Sequence, residues 1–138
     1  MNAILSEETR LQHILNSCLK FELNFKQEAK IKKLLPLLFT DNIALRQDLS
    51  RKVLLNIVNP IDKHFEKYLL LESNAYFTKN KQEFEKHYKK QILMLLAISK
   101  FARLMIGKID NTNIYITIAE LEQDIFDINK NFAIENLF

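Results

Sequence analysis

Glycine is almost absent from this chain, and that feature restricts the fold more than any other. One glycine, Gly107, and two prolines occur among the 138 residues. Tight β-hairpins depend on residues that accept positive φ, and glycine does so without steric cost. A fold with many such turns is therefore disfavoured, which argues against all-β and parallel α/β architectures. The sequence predicts an all-α protein.

The longest helical pattern covers residues 80–107 and ends at that glycine. Asn80 and Glu83 have the spacing of a capping box, and Gly107 can take the left-handed conformation that closes a helix. Apolar residues recur along it at three- and four-residue steps, and residues 92–98 are apolar on all sides. We therefore expect a central helix whose middle is buried all round.

A first helix is predicted to begin after Ser6, a suitable N-cap, and to continue at least to Lys33. Pro36 has no N–H to donate and disfavours a helical residue before it, so the helix should kink or stop near Leu34. The apolar cluster at residues 34–39 should plug one end of the core. The apolar stripe of this helix includes Leu11, Leu15 and Cys18.

Two more helices are predicted before the central one. Asn42 can cap a second helix, which covers residues 42–58 and ends at Pro60. Pro60 then begins a third, shorter helix at residues 61–72, because proline suits the first helical position. The residues expected to face the core are Leu45, Leu49, Val53 and Ile57 in the second helix, and Phe65, Tyr68, Leu69 and Leu71 in the third.

The last helix is predicted to begin at Thr117, which forms a second capping-box pattern with Glu120. Residues 114–118 alternate as a short strand would, but a lone strand has nothing to pair with. The sequence therefore predicts a single-domain, up-and-down helical bundle over residues 1–138, with four long helices and a short extra one. The apolar stripe of the last helix is Ile118, Leu121, Ile125, Ile128 and Phe132.

Groups capable of catalysis or metal binding are scattered along the sequence. His13, His64 and His87 fall on different predicted helices, and no two have the spacing of a helical metal pair. Glu83 with His87 comes nearest to a ligand pattern, and a solvated helix face is its alternative interpretation. Cys18 lies in an apolar stripe, which predicts a buried core thiol. We expect a protein without enzyme activity and without a cofactor or metal.

The distribution of charge argues for protein partners. The formal net charge is +3, and the lysines are interleaved with acids, which is typical of solvated helix faces. Direct nucleic-acid binding is therefore disfavoured, although residues 42–72 have the size of a helix-turn-helix with a poor recognition-helix start at residues 59–62. A single cysteine and the absence of a secretory pattern or a long apolar run indicate the cytoplasm, away from membranes.

Two short segments resemble one family of bacterial regulators. His64-Phe65-Glu66-Lys67-Tyr68 resembles the His-Phe-x-x-Tyr segment of the Rsd/AlgQ family of proteins that bind the primary sigma factor. Residues 132–138 are similar to that family's Phe-x-x-Glu ending with its following apolar residues, and the distance between the two segments is similar too. The resemblance implies a helical bundle that withholds the primary sigma factor from core RNA polymerase.

Six residues follow from this resemblance as partner-binding candidates. It implies that the partner surface includes Val58, His64, Phe65 and Tyr68, with Phe132 and Glu135 on the closing helix. Val58 stands where the family has an acidic contact, and residues 57–63 lack the family's glycine. A core phenylalanine beside a surface histidine is the alternative interpretation of His64 and Phe65.

A second class of function stays open at this point. The chain could be another kind of interaction bundle, such as a secretion chaperone, an immunity protein or a phage-type inhibitor. In that case residues 34–39 would capture the partner or hold a homodimer together. A helix-turn-helix protein that binds DNA is the third alternative.

Overall fold

The computed structural model describes residues 6–23, 25–73, 81–107 and 114–137, with side chains in 6–23, 25–61, 89–106 and 118–130. All regular structure in these residues is helical, which confirms the all-α bundle. The elements are α1 (Glu7–Lys20), α2 (Glu28–Leu34), a 3₁₀ helix (Leu35–Phe39), α3 (Ile43–Ser73), α4 (Lys81–Gly107) and α5 (Ile114–Leu137). Over these residues no helix has the length and apolarity of a membrane span.

The helix α4 is the centre of the bundle. It packs against α3 and α5 along much of its length, and also contacts α1 and the 3₁₀ helix. The ring of Phe101 is fully buried and lies 6.2 Å, centroid to centroid, from that of Phe39. Burial of each large aliphatic side chain contributes about 1.5–3 kcal/mol. The buried residues of α4 include Met94, Leu95, Ala97, Ile98, Phe101, Ala102 and Met105.

The helix α1 begins as predicted and ends much earlier. The Oγ of Ser6 accepts a hydrogen bond from the N–H of Thr9 at 3.2 Å, which caps the helix. The expected continuation to Lys33 is wrong, because α1 ends at Lys20 and the chain resumes helical structure only in α2. The predicted stripe of Leu11, Leu15 and Cys18 is buried.

One long-range and one local hydrogen bond account for this break. The side-chain amide of Gln91 in α4 donates to the carbonyl oxygen of Glu22 at 3.0 Å. The N–H of Leu23 donates to the carboxylate of Glu28, and the Leu23 side chain is fully buried. These partners satisfy backbone groups that a longer α1 would have paired internally.

The end of α2 confirms the expected effect of Pro36. The helix stops at Leu34, and Pro36 occupies the first turn of the 3₁₀ helix. Leu35 and Leu38 are fully buried, so this segment closes one end of the core as predicted, while Leu37 is half exposed.

The helix α3 runs through the predicted break at Asn59–Pro60, so the two separate helices at residues 42–58 and 61–72 are wrong. Pro60 is buried inside the helix. An interior proline loses one backbone hydrogen bond and costs about 3 kcal/mol, which burial of apolar neighbours such as Ile57 can offset. A helix-turn-helix needs a turn in this stretch, and α3 has none there.

The start and inner face of α3 agree in part with prediction. The Oδ1 of Asn42 accepts a hydrogen bond from the N–H of Leu45 at 3.1 Å, which confirms the cap. Leu49, Val53 and Ile57 are buried as expected, whereas Leu45 is exposed and the expectation for it is wrong. The core-facing residues predicted beyond Ile61 have side chains outside the described residues.

Both remaining helices depart from prediction at one point. The helix α4 ends at Gly107 as expected, while Asn80 lies outside the described residues. The middle of α4 was expected to be buried all round, and this is wrong, because Leu93 and Leu96 are exposed.

The helix α5 starts at Ile114, so a cap at Thr117 is wrong. The α5 stripe of Ile118, Leu121, Ile125 and Ile128 is buried as predicted.

Candidate protein-binding groove

A groove of about 420 Å³ lies along α4 between α3 and α5. Over the described residues α3 and α5 make little direct contact, so they stand on either side of α4 and leave one strip of it uncovered. The groove is lined from α3 by Leu54, Ile57, Val58 and Ile61, from α4 by Leu93, Leu96, Ala97, Ser99, Lys100 and Arg103, and from α5 by Asp124, Asp127 and Ile128.

Aliphatic side chains that remain open to solvent form much of this surface. The exposed fractions of Val58, Leu93 and Leu96 are 52%, 38% and 41%. Beneath them Ile57 and Ala97 are fully buried in the bundle core. Scattered apolar residues are ordinary on protein surfaces, but a contiguous apolar groove is typical of a binding site.

Charged groups border the α5 side of the groove. The Nζ of Lys100 donates to a carboxylate oxygen of Asp124 at 2.6 Å, which links α4 to α5. Asp127 accepts a hydrogen bond from the side-chain amide of Gln123 at 2.9 Å. Arg103 is exposed and pairs with no side chain among the described residues. The groove therefore has an apolar floor and a rim that carries both signs of charge.

The structure places one of the six predicted partner-binding residues directly. Val58 lines the groove and is half exposed. Residues 65 and 68 follow it after seven and ten positions of the same continuous helix, a spacing that keeps these backbone positions on one face. Residue 64 lies beside that face. The side chains of His64, Phe65 and Tyr68 are outside the described residues.

The two candidates on the last helix have a similar status. Phe132 and Glu135 belong to α5, and their side chains too are outside the described part of the chain. Their positions follow Ile128, which lines the groove, by four and seven residues, so the backbone places them on the same face of α5 as Ile128. The six residues therefore stay a prediction, with backbone positions compatible with one extended surface.

The sequence did not predict a binding role for Leu93 and Leu96 in the floor of the groove or for Arg103 on its rim. A signal for the floor was present, because residues 92–98 are apolar on all sides and only neighbouring helices on every side could bury them completely. That pattern was interpreted as complete burial. Which strip stays open depends on the placement of α3 and α5, and periodicity in α4 alone does not determine it.

The described residues with nucleophilic or metal-binding side chains do not assemble a reactive site. Cys18 is fully buried as predicted, and burial raises the pKa of its thiol from 9.0 to about 12. A nucleophilic cysteine needs the opposite shift. Within the described part of the chain no three His, Cys, Asp or Glu side chains form a group that could hold a metal ion. The pair Glu83 and His87 lies outside the described side chains.

Comparisons with protein-family models, curated proteins and solved structures find no significant match to this chain. The resemblance to the Rsd/AlgQ family therefore depends on the two short segments alone. The geometry of the groove suits recognition of an apolar surface on another molecule, and its polar groups are placed to orient that surface.

Proposed function

We propose that this protein is a cytoplasmic, non-enzymatic regulator that binds another protein through the groove between α3, α4 and α5. The observation that supports the proposal is the set of solvent-open aliphatic side chains, Val58, Leu93 and Leu96, above a fully buried core. Binding energy in protein interfaces concentrates in apolar groups that become desolvated by the partner.

The partner we propose is the primary sigma factor of RNA polymerase, whose sequestration would repress transcription from its promoters. Two features support this choice. His64, Phe65 and Tyr68 belong to the segment that resembles the Rsd/AlgQ family, and Val58, on the same helix, lines the groove.

The other interaction surface considered from the sequence, residues 34–39, offers less to a partner. Leu35 and Leu38 are fully buried, and Leu37 is the large aliphatic side chain that this segment exposes. Replacing Leu38 with a charged residue would therefore destabilise the core, so such a variant could not test whether this segment binds a partner. If this protein is instead a secretion chaperone, an immunity protein or a phage-type inhibitor, it could bind its partner through the same groove, and the partner's identity separates these possibilities.

The test is binding of the full chain to the purified C-terminal region of a primary sigma factor, measured by calorimetry. We expect Val58→Asp to weaken binding about tenfold or more, because a carboxylate would be desolvated in an apolar contact. Leu55→Asp is the matched control, since Leu55 is 70% exposed on the same helix and does not line the groove.

Three results are informative. Sigma binding lost with Val58→Asp and kept with Leu55→Asp supports the proposal. If the sigma factor does not bind, but another protein is captured from a lysate and its capture depends on Val58, the sigma assignment is wrong and the groove is still supported as the binding site. Equal behaviour of both variants toward every captured protein contradicts the proposed function.

A further inference from the structure

We infer that the occupant of the groove is an amphipathic helix of the partner, with an acidic and a basic residue seven positions apart flanking its apolar anchors. The inference rests on the proposed function and adds the chemistry of the recognised segment. It is carried by the shape of the groove, by its open aliphatic floor and by the arrangement of charges on its rim.

The shape of the groove fits one helix. Along α4 it extends from Leu93 to Arg103, which at a rise of about 1.5 Å per residue is about 15 Å, close to three helical turns. Two helices, α3 and α5, flank this strip with little direct contact between them among the described residues. A third element that lies on α4 between them would pack as helices do, with its axis about 8–10 Å away.

The openness of the floor favours a helix over a small molecule. Pockets for small ligands are concave and enclose most of the ligand, whereas this groove is an open strip along α4 in which Val58, Leu93 and Leu96 have exposed side chains. An amphipathic helix presents apolar side chains at i, i+3 or i+4, and i+7, which can cover such a strip along its length.

The rim leaves two charges for the partner to satisfy. Lys100 and Asp124 pair with each other at 2.6 Å and so largely neutralise one another. Arg103 has no charged partner among the described residues, and the neutral amide of Gln123 leaves the charge of Asp127 uncompensated. A complementary segment would place an acid near Arg103 and a base near Asp127.

The distance between these charges sets the spacing in the partner. Short connections join antiparallel neighbours, and six residues, 108–113, connect α4 to α5. The Lys100–Asp124 pair marks the same level on both helices. Arg103 lies three residues to one side of it and Asp127 three residues to the other, about 9 Å apart along the axis. In the partner helix, the spacing that is closest to this distance and also places two residues on the same face is seven residues.

The test uses four 18-residue helical peptides that differ at two positions seven residues apart, with leucines between them on the same face. The four carry Glu and Glu, Glu and Lys, Lys and Glu, or Lys and Lys. Fluorescence anisotropy at low salt measures binding to the wild type, Arg103→Glu, Asp127→Lys, Leu96→Asp and the control Leu55→Asp. Because a helix can bind in either direction, the mixed peptides are treated as one class.

We expect the wild type to bind a mixed peptide most tightly. Arg103→Glu should prefer the Lys and Lys peptide and Asp127→Lys the Glu and Glu peptide, each by about two- to fivefold, as for exposed ion pairs. The preferences should fade at high salt. Leu96→Asp should weaken every peptide about tenfold or more, and Leu55→Asp should not.

Several outcomes would overturn the inference. These are failure of all four peptides to bind, the same order of affinities for the wild type and both charge variants, or binding that Leu96→Asp leaves unchanged. A wild-type dimer that Leu96→Asp dissociates in sedimentation would assign the groove to a second copy of the chain. If any of the first three results is found but a protein is still captured in a Val58-dependent way, this inference is wrong and the proposed function is still supported.

Discussion

Arg46 provides the sharpest test of the energetics of this fold. It lies in the first turn of α3, only 9% of its surface is exposed, and its buried Nε has no hydrogen-bond partner among the described residues. No carboxylate among the described side chains pairs with it. One turn further, the hydroxyl of Ser50 is fully buried and also has no hydrogen-bond partner among the described residues. A buried charge in this setting destabilises the folded state.

We predict that Arg46→Met stabilises the protein by about 1–3 kcal/mol. The methionine keeps most of the packed methylene volume and has a similar helix propensity. It removes an unsatisfied buried donor, worth about 1–3 kcal/mol, and a cation near the positive end of the α3 dipole, worth about 0.3–1 kcal/mol. Loss of packing offsets part of that sum. At this chain length the gain corresponds to about 3 °C in Tm per kcal/mol.

Urea unfolding followed by circular dichroism measures the change, with Arg51→Met as the control. Arg51 is exposed on the same helix, so its replacement should alter the free energy of unfolding by less than about 0.5 kcal/mol. A loss of more than about 1 kcal/mol with Arg46→Met would refute the reasoning. It would indicate that an anion neutralises Arg46 in solution, and phosphate should then stabilise the wild type and leave Arg46→Met unaffected.

Two further predictions concern Cys18 and Pro60. Because burial raises the pKa of Cys18 to about 12, the thiol ionises first in the unfolded chain. Its contribution to stability is complete below pH 9 and is lost as pH rises from 9 to 12, so between pH 8 and 10 the wild type should lose about 1.4 kcal/mol more than Cys18→Ala in urea unfolding. An equal loss in both proteins would contradict the shift. Pro60→Ala should raise the free energy of unfolding by about 1 kcal/mol, because removing an interior helix proline (about 3 kcal/mol) outweighs the lost ring burial and the more flexible unfolded chain. Thermal and urea unfolding measure this change, and a destabilised variant would show that α3 does not continue through residue 60.

Features set by local chemistry were predictable from the sequence. The Ser6 and Asn42 caps involve residues three positions apart, and α4 ends at Gly107, the residue whose conformational freedom predicted that end. The period of α5 is regular enough to identify its buried face without knowledge of its neighbours. Interactions within one or two turns determine each of these features.

Features set by distant contacts were not predictable in the same way. The end of α1 depends on Gln91, which is far along the chain from Glu22. Likewise the continuity of α3 depends on packing that compensates Pro60. On α3, Leu45 is exposed and the neighbouring Arg46 is buried, which is the reverse of the usual preference of each residue. Nothing in the local sequence indicates this arrangement.

The groove follows from a mismatch between the sequence of α4 and the number of helices around it. An all-round apolar middle requires neighbours on every side, yet the described helices leave the strip at Leu93 and Leu96 open. Charged residues with good helix propensity at these two positions would suit a free bundle at least as well, because stability does not require exposed leucine. Aliphatic side chains at these positions lower solubility, and burial under a bound partner would offset that cost. They lie beside Arg103, which has no charged partner among the described residues. The same open strip therefore explains why the burial prediction for α4 failed, and it is the surface at which we propose that a partner binds.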